Sequence, residues 1–138
     1  MRLHKDRKVD LLKAVPLFAG CSKAELQKIA ALADELDLGD GATLIREGER
    51  GREFIVIVDG TVRVTRGGKS VRDLGAGDFI GEIALVSDVP RTATVTATSP
   101  VRLLVVTDRA FRGLIEQMPS IATKVLQSLG QRLHADAV

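Results

Sequence analysis

Apolar residues recur along this chain with two different periods, and the change of period divides the chain into three stretches. Before about residue 42 and after about residue 107, the apolar positions follow the three- and four-residue spacing of helices. Between these limits, short runs rich in β-branched residues alternate with turns rich in glycine. The pattern predicts a β-rich centre flanked by helices on both sides.

Two helices are predicted before the β-rich centre. The first covers Val9–Val15. The second opens at a capping-box pattern, in which Ser22 is followed three residues later by Glu25. Its apolar face extends to Leu36, and we expect it to end before the glycine turn at residues 39–41.

Six runs in the central stretch are predicted to be strands, separated by Asp-Gly, Gly-Gly, Gly-Ala-Gly and Ser-Pro turn signals. These runs are Thr43–Ile45, Phe54–Val58, Thr61–Thr65, Ser70–Leu74, Thr92–Ala97 and Val101–Val106. About six to eight short strands at such spacing indicate a sandwich or barrel.

Two more helices are predicted after the strands. The first carries Phe111 and Leu114 on one face and ends at Pro119. Ser120 is expected to cap the second. The apolar stripe of that second helix consists of Ile121, Val125, Leu129 and Leu133.

The length of 138 residues fits one domain. We expect it over residues 9–138, after a basic tail over residues 1–8 that carries four Lys and Arg residues. Within it, the β-rich part is predicted over about 42–107 and the C-terminal helices over about 108–135.

The composition is that of an ordinary soluble globule, with 45% apolar residues, 28% charged residues and a net charge of +2. Four Phe without Trp or Tyr offer no stacking platform for single-stranded nucleic acid, and the charge is too balanced for a dedicated nucleic-acid binder. No apolar run has the length of a membrane span or a signal peptide, and Cys21 has no second cysteine to pair with. We therefore predict a cytoplasmic protein without a membrane span.

The inventory of reactive residues disfavours catalysis. The two histidines, His4 and His134, lie at opposite ends of the chain, which disfavours both a metal cluster and a His-assisted nucleophile. Neither a P-loop pattern nor a G-x-G-x-x-G pattern occurs. We predict no enzymatic activity, no catalytic residue, no metal and no cofactor.

Arg91 is the first residue that indicates binding chemistry. It lies in phase with Ala93, Val95 and Ala97, the apolar positions of the run that follows it. If the alternation extends to Arg91, its guanidinium points into the β-rich core. A buried charge needs an anionic partner, which is either an internal carboxylate or a bound anion.

A second signal lies ten residues earlier. Residues 82–86 can form a single helical turn after Gly81, and such a turn offers free backbone N–H groups to an anion. Small residues at Gly81 and Ala84 allow a close approach. Together with Arg91 and the Thr92 hydroxyl, this turn indicates a phosphate site. A carboxylate at Glu82 fits beside it if it accepts hydrogen bonds from a ribose, which indicates a nucleotide.

The segment from Phe79 to Val95, here called the cassette, resembles the phosphate-binding cassette of the cyclic-nucleotide-binding domain family. That family includes catabolite activators, protein kinase A regulatory subunits and nucleotide-gated channels, and the resemblance extends from about Leu12 to Leu133. It includes Gly48, Gly51 and the Asp-Gly turn at residues 59–60. The implied fold is mainly β with flanking helices: a double-stranded β-helix, or jelly-roll-like β-roll, with N-terminal helices and two C-terminal helices.

The resemblance also implies a role for each cassette position. Arg91 would bind the exocyclic oxygens of the cyclic phosphate, and Glu82 would accept from the ribose 2′-hydroxyl beside the Gly81 backbone. Ala84 and Thr92 would donate backbone N–H groups to the phosphate, with Thr92 adding its hydroxyl. Ala93 completes the motif in register. The alternative is that Arg91 and Glu82 form a structural ion pair in a member that has lost its ligand.

The resemblance implies that the last helix caps the base through Leu129, Arg132 and Leu133, although ordinary core packing explains the two leucines equally well. A hydroxyl at Thr92 favours guanine in channel relatives, whereas bacterial relatives with Ser or Thr there commonly take adenine. The Ala-, Arg- and Gly-rich composition is typical of a bacterial source, so cAMP is favoured over cGMP. We expect nucleotide binding to order residues 120–133.

The predicted function is a cyclic-nucleotide sensor that transmits ligand occupancy through its C-terminal helix to an effector protein or a fused output domain. The residues after Leu133 are too few for the recognition helix of a catabolite activator, so we expect no direct DNA binding. The alternatives are an interaction or scaffold protein with an occluded pocket, a cGMP-binding sensor and, more weakly, a phosphodiesterase. The sequence indicates neither the output nor the oligomeric state.

Overall fold

The computed structural model describes residues 3–136, except for the side chains of Glu82 and of residues 132–136. Over these residues the chain forms two compact units. The β unit covers Ala33–Asp108, and the helical unit combines the residues up to Leu32 with those from Arg109 onwards. The β-rich centre therefore begins nine residues earlier than the predicted start at residue 42.

The helical unit contains four α-helices within the described residues, together with a short 3₁₀ helix at Pro16–Phe18. The α-helices are α1 (Lys5–Lys13), α2 (Lys23–Leu32), α3 (Asp108–Gln117, whose first residue belongs to the β unit) and α4 (Pro119–Asp136). Phe18 and Phe111 are fully buried, with ring centroids 5.9 Å apart. The predicted pattern of helices on both sides of the β-rich centre is confirmed.

The first residues of α1 and α4 differ from the predictions. Helix α1 begins at Lys5, inside the predicted tail, because the His4 imidazole accepts a hydrogen bond from the Asp6 N–H and caps the first turn. Helix α4 begins at Pro119, so Ser120 is not its cap. The Ser120 hydroxyl instead donates to the Glu25 carboxylate, 2.6 Å away.

The predicted capping box is present at the start of α2. The Glu25 N–H donates to the Ser22 hydroxyl at 3.2 Å, and the Ser22 N–H donates to the Glu25 carboxylate at 2.8 Å. The predicted extension of this helix to Leu36 is wrong. Helix α2 ends at Leu32, and Leu36 lies in a strand with 44% of its surface exposed.

The β unit consists of two four-stranded antiparallel sheets over the described residues, ordered β1-β8-β3-β6 and β2-β7-β4-β5. The strands are β1 (Asp34–Leu38), β2 (Thr43–Ile45), β3 (Glu53–Asp59), β4 (Val62–Arg66), β5 (Lys69–Leu74), β6 (Phe79–Ile80), β7 (Thr94–Ala97) and β8 (Val101–Thr107). Side chains from both sheets form one apolar cluster, including Ile57 and Leu103 from one sheet and Val62 and Val95 from the other. The predicted β-roll fold is confirmed.

Glycine residues form tight turns between consecutive strands. Gly67 and Gly68 both have positive φ angles, 60° and 80°, and join β4 to β5 as a two-residue hairpin. Gly60 has a φ of 96°, and a Cβ atom there would overlap the Pro100 carbonyl oxygen. The predicted turns at these positions are present because only glycine fits them without strain.

Among the described residues, no helix combines the length and the hydropathy needed to cross a bilayer.

Candidate functional site

Arg91 is an almost completely buried cation in the β unit. Its side chain is 10% exposed, which confirms the predicted inward position. The reason differs from the predicted one, however, because strand β7 begins only at Thr94. Arg91 therefore lies in a segment before the strand, and its position depends on contacts made by its own backbone.

A loop formed by residues 47–51 holds that backbone on both sides. The Arg91 N–H donates to the Glu49 carbonyl at 2.7 Å, and the Gly48 N–H donates to the Arg91 carbonyl at 2.8 Å. Next to this pair, Arg50 forms an ion pair with Asp88. These contacts fix Arg91 at the level of the main chain, where its position does not depend on a ligand.

The partner of the guanidinium is Glu53, the first residue of β3. Nη2 of Arg91 donates to the Glu53 backbone carbonyl at 2.6 Å. The Glu53 carboxylate lies farther away, with Oε2 3.5 Å from Nη2, and its side chain is 47% exposed. Of the two anionic partners considered from the sequence, the structure therefore contains an internal carboxylate.

Two glycines leave the space that the guanidinium occupies. A Cβ atom on Gly51 would lie 2.9 Å from Nε of Arg91, and a Cβ atom on Gly81 would overlap Nη1. Gly81 also has a φ of 79°, a left-handed conformation that side chains rarely adopt. Glycine is thus required at both positions for the guanidinium to lie against the backbone at the start of the cassette turn.

The predicted helical turn in the cassette is present as a 3₁₀ helix over Glu82–Leu85, with Gly81 as its N-terminal cap. Ala84 is buried, and its N–H donates to the Gly81 carbonyl at 3.0 Å. A bound phosphate would have to share or displace this bond to receive the Ala84 N–H. The side chain of Glu82 lies outside the described residues, so its ribose role stays a prediction.

Thr92 and Ala93 connect Arg91 to the strand. Thr92 is exposed, and its carbonyl oxygen accepts a hydrogen bond from Nε of Arg66 at 3.0 Å. Ala93 is partly buried and packs against the apolar cluster of the β unit. Thr92 is therefore accessible to solvent next to the buried Arg91 side chain.

Burial and charge act on Arg91 in opposite directions. Desolvation lowers the pKa of the Arg91 guanidinium from its ordinary value, and the charge and hydrogen bond of Glu53 oppose that effect. An arginine retains its proton under such conditions because its ordinary pKa is so high. The site therefore presents a fixed positive charge with a partial internal counter-charge.

The three residues predicted to cap the base lie on α4, in the helical unit. Leu129 is half-buried. The side chains of Arg132 and Leu133 lie outside the described residues, so their contacts with a base stay predictions. The stripe on α4 is confirmed at its start, since Ile121 and Val125 are buried.

Comparison with known proteins decides the family. The model of the family described as "Cyclic nucleotide-binding domain" matches residues 35–118, well over half of the chain. The chain belongs to the cyclic nucleotide-binding domain family. The resemblance seen in the sequence is thereby confirmed over residues 35–118.

Relatives of the domain occur in proteins of different kinds. It is 40% identical over 119 residues to a cAMP-dependent protein kinase regulatory subunit of Mycosarcoma maydis, covering 80% of this chain and 23% of that protein. It is 37% identical over 126 residues to a cyclic nucleotide-gated potassium channel of Rhizobium etli, covering 91% and 35%. The chain thus spans only about a quarter to a third of these relatives.

One solved structure matches almost end to end. The N-terminal domain of a transcriptional regulator from Streptomyces coelicolor superimposes with a TM-score of 0.86 at 30% sequence identity. The match covers 92% of this chain and 94% of that one. The fold is therefore shared with a domain of a transcriptional regulator.

Sequence reasoning missed Glu53 as the partner of Arg91. A glutamate at the start of a strand is common on protein surfaces, and nothing in its spacing marks it. Gly51 was part of the recognised pattern, but its packing against Arg91 was not foreseen. The pairing of the 47–51 loop with residues 88–91 and the position of β3 beside β6 bring these residues together.

Proposed function

We propose that this domain binds cAMP at the cassette and does not alter it chemically, and that it acts as a regulatory sensor. The observation that carries the proposal is the buried Arg91 guanidinium, held by its backbone and lying against Gly81 at the start of the cassette turn. A preformed and largely buried cation is suited to an anionic ligand because part of its desolvation has already occurred during folding.

The cyclic phosphate occupies the edge of the guanidinium that faces Gly81. Nη2 of Arg91 donates to the Glu53 carbonyl, and Nη1 lies beside Gly81 at the start of the 3₁₀ turn, so we assign the N–H groups of Nη1 to the exocyclic oxygens. The backbone N–H groups of Ala84 and Thr92 and the Thr92 hydroxyl complete the phosphate site. An arginine fits this role better than a lysine because its guanidinium keeps the Glu53 contact through Nη2 while Nη1 donates to the phosphate.

Glu82 accepts a hydrogen bond from the ribose 2′-hydroxyl in this proposal. It opens the 3₁₀ helix directly after Gly81, one residue from the backbone that lies against Arg91. A ribose attached to the phosphate reaches this position. Glu82→Gln is expected to weaken cAMP binding while leaving 2′-deoxy-cAMP binding almost unchanged.

The preference for adenine over guanine has two supports. The relative with 40% identity is named as a cAMP-dependent regulatory subunit. The composition is typical of bacterial members, in which a Thr at the position of Thr92 commonly accompanies adenine. The base would be capped by Leu129, Arg132 and Leu133 of α4.

The C-terminal helix carries the output of binding. Its first turns are anchored in the helical unit by Ile121 and Val125, and Leu129, one turn further along the same face, is only half-buried. A nucleotide that contacts Leu129 would favour one position of this part of the helix and shift the population towards it. An effector protein, or an output domain in the same polypeptide, reads this change in the cytoplasm.

Isothermal titration calorimetry with cAMP and cGMP tests the proposal. We expect one site per chain and tighter binding of cAMP. Incubation with cAMP followed by product analysis is expected to show intact ligand. Tighter binding of cGMP would reverse the assigned base preference, and product formation would contradict a purely binding role.

A second candidate function is an interaction protein that retains the fold without a ligand. It is favoured by one observation, the internal contact between Arg91 and Glu53, since that contact already satisfies part of the guanidinium. Absence of heat and of any shift in thermal stability with either nucleotide would select this second function.

A further inference from the structure

Glu53 places a negative charge beside the cation that we assign to the phosphate. Its carboxylate Oε2 lies 3.5 Å from Nη2 of Arg91. The Arg91 side chain is almost completely buried, whereas the Glu53 side chain is half-exposed. The carboxylate is therefore a weakly held, partly hydrated counter-charge on a firmly held cation.

The two contacts made by Glu53 have different consequences. The short one, 2.6 Å, is to its backbone carbonyl, and it orients the guanidinium. The long one is to its side chain and contributes mainly charge. A substitution at residue 53 removes the second contact and keeps the first, so the orientation of Arg91 does not depend on the carboxylate.

The other two nitrogens of the guanidinium lie against glycines. Nη1 lies against Gly81 and Nε against Gly51. A phosphate on the Nη1 side would share one guanidinium with the carboxylate on the Nη2 side. Two anions on one cation repel each other across a few ångströms, and the half-exposed position of the Glu53 carboxylate leaves this repulsion open to screening by salt.

We infer that the Glu53 carboxylate opposes the phosphate at Arg91 and thereby sets the affinity of the domain below what the cassette alone would give. Glu53 neutralises the cation while no ligand is bound and touches no part of the nucleotide. This inference rests on the proposed function, because it needs a phosphate at Arg91.

Glu53→Gln isolates the charge because glutamine has the same length and retains the backbone carbonyl. We expect cAMP to bind about fivefold more tightly to this variant at low salt, the size typical of one partly exposed charge pair. The ratio between variant and native dissociation constants is expected to approach one as salt rises to about 0.5 M, because salt screens the repulsion. A purely structural role would not produce this salt dependence.

Three further variants complete the experiment. Glu53→Asp keeps the charge and is expected to stay within about twofold of native affinity, whereas Glu53→Ser removes the charge and is expected to tighten binding. The matched control is Asp73→Asn, which removes an exposed carboxylate from an ion pair with Arg63 in the other sheet. We expect no change in affinity for this control.

The outcomes separate this inference from the proposed function. Native binding combined with unchanged or weaker binding by Glu53→Gln and Glu53→Ser would overturn the inference alone. Absence of cAMP and cGMP binding by the native protein would overturn the proposed function and the inference with it.

Discussion

The guanidinium of Arg91 lies against the Cα atom of Gly51, where a Cβ atom would come within 2.9 Å of Nε and 3.0 Å of Cζ. Gly51 has no left-handed φ, so an alanine there is not strained in its backbone. The group that must move is the end of a flexible side chain. Ligand affinity and fold stability can therefore be separated at this position.

Gly51→Ala is expected to displace the guanidinium and to weaken cAMP binding at least tenfold, about 1.4 kcal/mol. Its free energy of unfolding is expected to stay within about 1 kcal/mol of the native value. Calorimetry and chemical denaturation provide the two measurements. Gly81→Ala would be a poorer test, because its φ of 79° adds backbone strain.

Gly39→Ala is the matched control for this substitution. No atom lies within 4 Å of a Cβ atom built on Gly39, and its φ is also outside the left-handed region. We expect native affinity for this variant. Equal affinity of the Gly51 and Gly39 variants would show that the position of Arg91 does not control binding.

A buried carboxylate in the helical unit determines a second prediction. Glu25 is 5% exposed and accepts hydrogen bonds from Ser22 and Ser120, and it pairs with Lys124. It therefore joins the start of α2 to the first turns of α4. Glu25→Gln is expected to lower the free energy of unfolding by about 3 kcal/mol at pH 7, since it leaves the Lys124 ammonium without its counter-charge.

The pH dependence of stability follows from the same group. Hydrogen bonds from Lys124, Ser120 and Ser22 lower the pKa of Glu25 from 4.5 to about 2 in the folded protein. Because the folded-state pKa is depressed, this contribution is complete above pH 4.5 and is lost as the pH falls towards 2. The stability gap between the native protein and Glu25→Gln is expected to narrow over this window.

Urea denaturation between pH 7 and pH 2.5 measures that gap. Glu116→Gln serves as the control because Glu116 is an exposed carboxylate on α3. Its stability curve is expected to follow the native one. A gap for Glu25→Gln that stays constant down to pH 2.5 would contradict the assigned role of the carboxylate.

The contacts of Glu25 with α4 limit the part of this helix that we expect to respond to the ligand. Ser120 and Lys124 are bonded to Glu25, and Ile121 and Val125 are buried. We therefore predict that cAMP changes hydrogen exchange in α4 only beyond Ser128, together with the cassette, rather than over the whole of residues 120–133. Amide hydrogen exchange resolved by mass spectrometry measures this. A change that extends to Ser120 would show that ligand binding also alters the first turns of α4.

The sequence predicted the strands and turns well because their signals are local. Gly67 and Gly68 mark a two-residue hairpin by themselves, and both adopt the positive φ that such a turn needs. The boundary between α2 and β1 was wrong because Leu36 continues the helical spacing. Pairing with β8, where Leu36 lies opposite Leu103, makes the segment a strand, and that partner is 67 residues away in the chain.

The part of the site that lies within one contiguous motif was predictable from the sequence. The part that comes from distant segments of the chain was not. Arg91 and the turn after Gly81 belong to one contiguous pattern, and both are found as expected. Glu53 lies 38 residues from Arg91 and makes contact only because β3 runs beside the cassette. The contact of a carboxylate at a strand end with a residue far away in the chain cannot be recognised from a single sequence.

Arg91→Ala, followed by calorimetric titration with cAMP, tests the central claim most directly. The account predicts a loss of binding free energy of about 2–5 kcal/mol, with a poor rescue by Arg91→Lys. The control is Arg63→Ala, which removes an exposed arginine from β4 and is expected to bind as the native protein does. Native affinity in Arg91→Ala would contradict the assignment of this guanidinium to the phosphate.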